Sequence, residues 1–433
     1  MKKKKLLSGY CLSNKFSLVS KIAFSNHVLY VIEYLYSSKI KSKLMALQFD
    51  NTEIAFKSKS SQDLKSAKML FNMVSSNSMV KFGRWFTNVA FSIHLPIKGI
   101  IKKTIFKQFC GGESINECEK TISLLNKYDV GTILDYSVEG KEGDDDLDST
   151  VLEIIATIKK AKSSNAIPFS VFKPTGISQF SILEKANEGV SNLNEKELAA
   201  YKKIEERFDT ICKAAYEQDV PLFIDAEDSW IQDTIDRLCE NMMGKYNTEK
   251  VVIYTTLQFY RWDRLGYLKE LHKKAKENNC KIGIKLVRGA YMEKERERAD
   301  EKGYKDPIQP NKEATDRDYD LALKYCIENI EDISICAGTH NEDSSQKLAD
   351  LMQENGIDKS DKRIYFAQLL GMSDHISFNL SKEEYNVAKY VPYGPVKEVL
   401  PYLIRRAEEN TSVAGQTSRE LSLIQKEIRR RRR

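Results

Sequence analysis

Eight short apolar runs separated by longer amphipathic stretches constrain the fold of this chain more than any other feature. They cover residues 131–136, 169–172, 222–224, 251–256, 282–287, 333–337, 364–367 and 387–391. Between them, segments such as 228–243, 264–278 and 343–354 repeat apolar residues at helical spacing. Strands that alternate with helices build a parallel sheet, because each connection must cross back over the sheet. Eight of them within about 270 residues predict an α/β fold of the (β/α)8 TIM-barrel type. An open doubly wound sheet is the alternative. No GxGxxG follows the first run, which removes the usual reason to prefer it.

Two connections are long. Residues 178–220 contain Ser191-Asn-Leu-Asn-Glu-Lys, a capping sequence, followed by a charged helix, and read as an inserted helical arm. Residues 290–332 carry Lys-Glu-Arg-Glu-Arg-Ala, then Pro307 and Pro310, which reads as a helix, a loop and a further helix from Ala314. Residues 62–125 read as helical. Leu64, Ala67, Leu70, Phe71 and Val74 recur at helical spacing, and Phe82, Trp85, Phe86 and Val89 form a second cluster. The expected organisation is a basic extension over 1–44, N-terminal helices over 45–125, the catalytic barrel over 126–420 with a terminal helix carrying the arginines, and a basic tail over 421–433.

The net charge of +6 conceals its distribution. Residues 1–44 hold nine lysines and one acid, and Arg429 to Arg433 add five charges, so the body between sums to −7. A mildly acidic body with basic ends does not describe a nucleic-acid binder. Eight scattered cysteines without a CxxC read as reduced thiols of an intracellular protein. Five histidines without HxxxH spacing predict no metal site. No apolar run reaches the roughly 18 residues of a membrane span. Residues 1–44 read as a non-native extension, with Met45 as a plausible start. A targeting peptide is the alternative, although a transit peptide favours arginine and this segment has none.

In a barrel the reactive groups lie at the carboxyl ends of the strands. Here Lys173 ends the second run, Asp225 the third, and Gln258 follows the fourth. Lys285 and Arg288 sit in the fifth, Thr339, His340 and Asn341 end the sixth, Gln368 the seventh, and Tyr390 and Tyr393 the eighth. Each alone reads as a solvated strand end; together they point to a polar site. Further on, Tyr402, Arg405, Arg406 and Glu409 fall at i, i+3, i+4 and i+7, one face of a helix. A guanidinium fork matches a carboxylate at two points, so this face suits a small anion. A solvated charged face is the plain alternative.

The blocks FKPTG, FIDAED, IKLVRGAY, GTHNEDS, FAQLLGM and KYVPYGPVKEVLPYLIRRAEEN, in this order within about residues 100–420, resemble the proline dehydrogenase family. KLVRGAY and YVPYGPV resemble its single-function, mitochondrial-like branch. The resemblance implies oxidation of L-proline to pyrroline-5-carboxylate, the first step of proline catabolism to glutamate, with FAD taking a hydride at N5. It implies that Arg405 and Arg406 clamp the substrate carboxylate and that Lys173 adds a third positive group. Asp225 would stand near the amine, and Tyr291, Leu369, Tyr390 and Tyr402 would wall off the ring. It assigns FAD contacts to Gln258, Lys285, Val287, Gly289, Ala290, Thr339, His340, Asn341 and Glu409. Some bacterial relatives have arginine where this chain has Lys285. Gly289 and Ala290 are small, in keeping with a close approach of backbone to cofactor. His340 is expected as a cofactor contact rather than a base, since a neutral amine needs none.

The resemblance implies that Tyr390 crowds the position of a 4-hydroxyl, which favours proline over hydroxyproline; hydroxyproline dehydrogenase is the alternative within the family. Family members of this branch pass electrons to a membrane quinone, here through peripheral contact only. The terminal arginines either meet anionic headgroups or form a solvated tail. No aldehyde dehydrogenase domain fits this length, so a separate pyrroline-5-carboxylate dehydrogenase is expected. The expected location is cytoplasmic, peripheral on the inner face of the membrane, and at the mitochondrial inner membrane in a eukaryote. Two other classes remain open. One is a barrel lyase with Lys173 or Lys285 as a Schiff-base amine; the other is a basic-ended membrane or nucleic-acid adaptor.

Overall fold

The computed structural model describes residues 47–74, 98–138, 141–412 and 416–433, without the side chains of 407–418. The extension 1–44 and the cluster Phe82, Trp85, Phe86 and Val89 lie outside the described residues. The chain divides after Gln48, and the unit Phe49–Arg433 holds the barrel and the helices around it.

Eight parallel strands close into a barrel: β1 Val130–Tyr136, β2 Phe169–Phe172, β3 Leu222–Ile224, β4 Ile253–Gln258, β5 Ile282–Val287, β6 Ile333–Gly338, β7 Ile364–Leu369 and β8 Val387–Tyr393. Each pairs with the next, and β1 closes on β8 with Ile133 opposite Tyr390. The expected barrel is therefore the observed fold, and the open sheet is not. One strand is displaced. β4 begins at Ile253 rather than at 251, because Asn247 takes the backbone before it. Its Oδ1 accepts from Val252 N at 3.0 Å and Ile253 N at 2.8 Å, and its Nδ2 donates to Ile253 O at 2.8 Å. Gln258 thereby lies within the strand. β7 likewise runs to Leu369, bringing Gln368 and Leu369 inside it.

The interior is filled by alternate residues, as the two-residue strand repeat requires. Ile133, Phe169, Val171, Phe223, Tyr254, Cys336, Ala367, Ala388 and Tyr390 form one buried cluster. Phe169 and Phe223 stack at 4.3 Å, with Tyr254 edge-on to both. Each such ring contributes about 1.5–3 kcal/mol by leaving water. The same parity, carried two residues further along each strand, aims Asp135, Lys173, Asp225, Gln258, Lys285, Leu369 and Tyr390 towards the barrel axis.

The connection expected as an inserted arm is mostly part of the helical ring. Helix Glu195–Gln218 starts on a reciprocal capping box between Asn194 and Glu197, and buries Tyr201, Ile204, Phe208, Ile211, Cys212 and Ala215. Its buried Arg207 bridges to Asp148 at 2.7 Å and Asp144 at 2.9 Å on helix Asp144–Lys162. The short helix Phe180–Glu188 and the 3-10 turn Val190–Asn192 are additional. The second long connection contains helices Met292–Lys302 and Lys312–Glu328, close to expectation.

A second apolar cluster lies outside the barrel. Phe56, Leu64, Ala67, Phe71, Phe106 and Phe109 from the N-terminal helices meet Met372, Val396, Tyr402 and Leu403, together with Leu423 and Ile424 of helix Gln416–Arg430. The terminal segment is helical as far as Arg430 and packs by one face, while Arg429, Arg430, Arg432 and Arg433 remain exposed. Glu427 is 0 % exposed and pairs with Arg430 at 2.9 Å and Arg431 at 2.7 Å. Arg431 also donates to Phe56 O at 2.9 Å and Lys59 O at 2.8 Å. The apolar face of 421–428, within the stretch read from the sequence as a basic tail, covers these helices.

Candidate active site

The polar strand ends converge on one carboxylate. Asp225 at the end of β3 accepts from Lys285 of β5 through one oxygen, and through the other from Tyr390 of β8 at 2.5 Å and Lys173 at 3.3 Å. Lys173 also reaches both oxygens of Asp135, on β1, at 2.9 Å. Burial raises the Asp225 carboxyl, but Lys285 and Lys173 outweigh it and hold its pKa below the usual carboxylate range. Burial pushes the Tyr390 phenol well above its ordinary pKa, reinforced by Asp135 and Asp225, so it stays a neutral donor. The chain Asp135, Lys173, Asp225, Lys285 alternates in sign and sums to zero, the condition under which buried charges persist.

Asp135 was missed from the sequence. Its signal is the parity of Ile133 and Asp135 in Ile-Leu-Asp-Tyr, the same inward alternation that places Lys173. Lys173 was expected to serve the substrate as a third cation; it is engaged by Asp135 and Asp225. Both lysines face carboxylates, the reverse of the apolar surroundings that make an amine nucleophilic, so the Schiff-base reading is not carried further.

Helix Val396–Ser412 brings the arginines to this mouth. The Arg405 guanidinium lies 6.0 Å from the centre of the Tyr291 ring, beyond the end of β5. Arg406 is 7 % exposed and lies 5.2 Å from the Tyr402 ring. Leu369, opposite Tyr390 in register, packs against both apolar clusters, one of which holds Tyr402 and the other Tyr390. The helix thus joins the outer cluster to the barrel mouth. Glu409 is on the same helix, and its side chain lies outside the described residues.

The remaining expected positions line β4 to β6. Gln258 is buried, and its Nε2 donates to Glu227 O at 2.7 Å. Val287 is opposite Gln258 in register. Gly289 has φ +129°, and a Cβ there would fall 2.4 Å from the Tyr260 ring, so Tyr260 already requires the glycine. Gly289 and Ala290 are exposed at the rim. Thr339 Oγ1 accepts from Arg288 at 2.7 Å and from Asn341 N at 3.1 Å. Asn341 Oδ1 accepts from Ser344 N at 2.9 Å, capping helix Glu342–Glu354. His340 Nδ1 lies 2.9 Å from Ser373 Oγ. Burial lowers its pKa to about 3, with repulsion from Lys389 and Arg406 adding to the effect. Arg288, noted in the sequence but given no role, ties Asp316, Thr339 and Ser344 together.

The model for proline dehydrogenase matches residues 118–419. The chain belongs to the proline dehydrogenase family. It is an enzyme of proline catabolism that oxidises proline to pyrroline-5-carboxylate, and the family depends on FAD. It is 35% identical over 430 residues to mitochondrial proline dehydrogenase 1 of Dictyostelium discoideum, covering 89% of this chain and 75% of that protein. It is 34% identical over 325 residues to the carbapenem antibiotics biosynthesis protein CarD of Pectobacterium carotovorum subsp. carotovorum, covering 75% and 83%. A crystal structure of proline utilization A from Bdellovibrio bacteriovorus superposes with a TM-score of 0.66 at 19% identity. That likeness shows the fold; it covers 83% of this chain and 38% of that one. Among the described residues no helix is long and apolar enough to cross a membrane. Several relatives of this family, including the Dictyostelium protein, are mitochondrial.

Proposed function

We propose that this chain oxidises L-proline with FAD held against β4 to β6, and that electrons pass on to a membrane quinone through peripheral contact. The reading rests on one observation above the others. Helix Val396–Ser412 lies at the barrel mouth, with Arg405 beside Tyr291 and with Tyr402 in the cluster that Leu369 joins to Tyr390 and the Asp225 hub.

The donor set suits FAD. Lys285, Gln258, Thr339 and His340 offer an ammonium, an amide, a hydroxyl and an imidazole along three neighbouring strand ends, and Gly289 and Ala290 keep the rim low. Such donors match a cofactor rich in carbonyl and phosphate oxygens. Bound FAD supplies the two-electron acceptor for a hydride from the ring carbon of proline. The chain's part is position. Arg405 and Arg406 bind the carboxylate, while Tyr390, Leu369 and Tyr402 exclude water from the ring. Proline's ammonium must shed a proton before the hydride leaves; Asp225, with its depressed pKa, and His340, kept neutral, are both weak bases, so that proton goes to solvent. The product then leaves for a separate pyrroline-5-carboxylate dehydrogenase.

An anaerobic absorbance spectrum, before and after L-proline, tests the reading. Bands near ~375 and ~450 nm that bleach with proline are expected for bound flavin. A chain that stays colourless after incubation with FAD would overturn it. A flavin that bleaches only with hydroxyproline would reassign the substrate.

A further inference from the structure

The loop after β7 is gripped by segments outside the barrel repeat. Gly371 has φ +77°, and a Cβ there would fall 2.1 Å from Gln108 O, while Gln108 Nε2 donates to Gly371 O at 2.8 Å. Ser373 has φ +50°, a left-handed conformation that a serine adopts only when its surroundings hold it. Lys389 of β8, buried, donates to Leu369 O at 3.3 Å and pairs with Asp374 at 2.9 Å; Lys59 reaches the other oxygen of Asp374 at 3.3 Å. From helix Gln416–Arg430, Glu420 is 5 % exposed and accepts from Ser373 N at 3.1 Å. Arg419, its neighbour, donates to Glu342 at 2.8 Å, and Glu342 lies 3.0 Å from His375 Nε2. His375 Nδ1 stands 3.7 Å from Glu420. The loop so fixed presents Ser373 Oγ to Nδ1 of His340 at 2.9 Å.

We propose that Glu420 is a positioning residue for the cofactor side of the site: by fixing Ser373, it sets the ring orientation and tautomer of His340. The proposal rests on the reading of His340 as an FAD contact. A neutral imidazole carries one N–H, and the bond made by one nitrogen decides the state of the other. With the Ser373 hydroxyl donating to Nδ1, the proton sits on Nε2, which then serves as a donor. A donor is what a cofactor of carbonyl and phosphate oxygens requires. The Ser373 amide needs only an oxygen acceptor from position 420, and burial favours the uncharged carboxyl there, so glutamine should serve as well as glutamate. Helix Gln416–Arg430 would in this way reach His340 through two hydrogen bonds, and the flavin through His340.

The test uses the full chain labelled with 15N-histidine, with and without FAD. It compares Ser373→Ala, Glu420→Ala and Glu420→Gln, with His340→Ala to assign the signal. Wild type and Glu420→Gln are expected to show His340 protonated on Nε2 and to bind FAD within about twofold of each other. Ser373→Ala and Glu420→Ala are expected to lose that 15N pattern and to weaken FAD binding by about tenfold, as loss of outer partners of a bound group does. A folded Glu420→Ala chain with the wild-type His340 signal overturns the proposal. If Glu420→Ala does not fold, an unchanged signal in Ser373→Ala, or a lost one in Glu420→Gln, overturns it instead. Unchanged FAD affinity in His340→Ala removes the cofactor reading alone, since the 15N signal still judges the role of Glu420.

Discussion

Tyr390 of β8 donates its phenol proton to Oδ2 of Asp225 on β3 at 2.5 Å, a bond between residues 165 apart in sequence and three strands apart in the barrel. Asp225 takes Lys173 and Lys285 as well. One carboxylate therefore organises three strand ends. Asp225→Ala leaves buried donors facing one another without it. Loss of one partner from a buried ion pair costs about 3–5 kcal/mol. We expect urea unfolding to show a loss of stability of that order, with a smaller one for Asp225→Asn. A midpoint within error of wild type would show that Asp225 is not the organising charge.

On the proposed reading the arginines act on substrate rather than on stability. Arg405→Met and Arg406→Met should each raise KM for proline by roughly 10- to 150-fold, the equivalent of about 1.5–3 kcal/mol for a charge-assisted hydrogen bond. FAD content should be unchanged. Steady-state kinetics alongside flavin absorbance separate the two effects. Normal proline kinetics in both variants would remove the clamp.

The eight strands were legible because each combines β-branched residues with a turn and a helical stretch, a local signal. β4 was misplaced by two residues because its start is set by the side chain of Asn247, which no periodicity reports. Lys173, Asp225, Lys285 and Tyr390 were recognisable as strand-end polar residues, yet their partner Asp135 was not. Its run was read for its apolar content, and a carboxylate needs the partner lysine in view to stand out. The polarity of the last helix misled in another way. The run of arginines gave no sign that Arg431 differs from its exposed neighbours, yet it pairs with Glu427 and caps carbonyls 372 and 375 residues away. Contacts of that span leave no trace in local composition.

On the proposed reading Tyr390 has two roles that different substitutions separate. Tyr390→Phe removes the bond to Asp225 and keeps the ring; Tyr390→Ser removes the bulk. Shape differences of a few atoms discriminate by about 10- to 200-fold. Tyr390→Ser should therefore raise the kcat/KM ratio of 4-hydroxyproline to proline by about tenfold or more, while Tyr390→Phe should leave that ratio within about threefold. If the phenylalanine variant relaxes selectivity as far as serine does, the hydroxyl rather than the ring excludes the larger substrate.

Acid should loosen the contact between helix Gln416–Arg430 and the end of β6. Burial raises the Glu342 carboxyl, but bonds to His375 and Arg419 outweigh it and bring its pKa to about 2. A carboxylate depressed in the folded state adds stability at pH values above its unfolded pKa, near ~4.3, and loses that contribution as pH falls towards its folded pKa. Screening at this half-buried site limits the contribution to about 1–2 kcal/mol. Stability of the wild-type chain measured in urea between pH 6 and ~2.5 should fall more steeply than that of Glu342→Gln, and the two curves should converge at the acid end. Parallel curves across that window would show that the Glu342 contacts with His375 and Arg419 add nothing to folding.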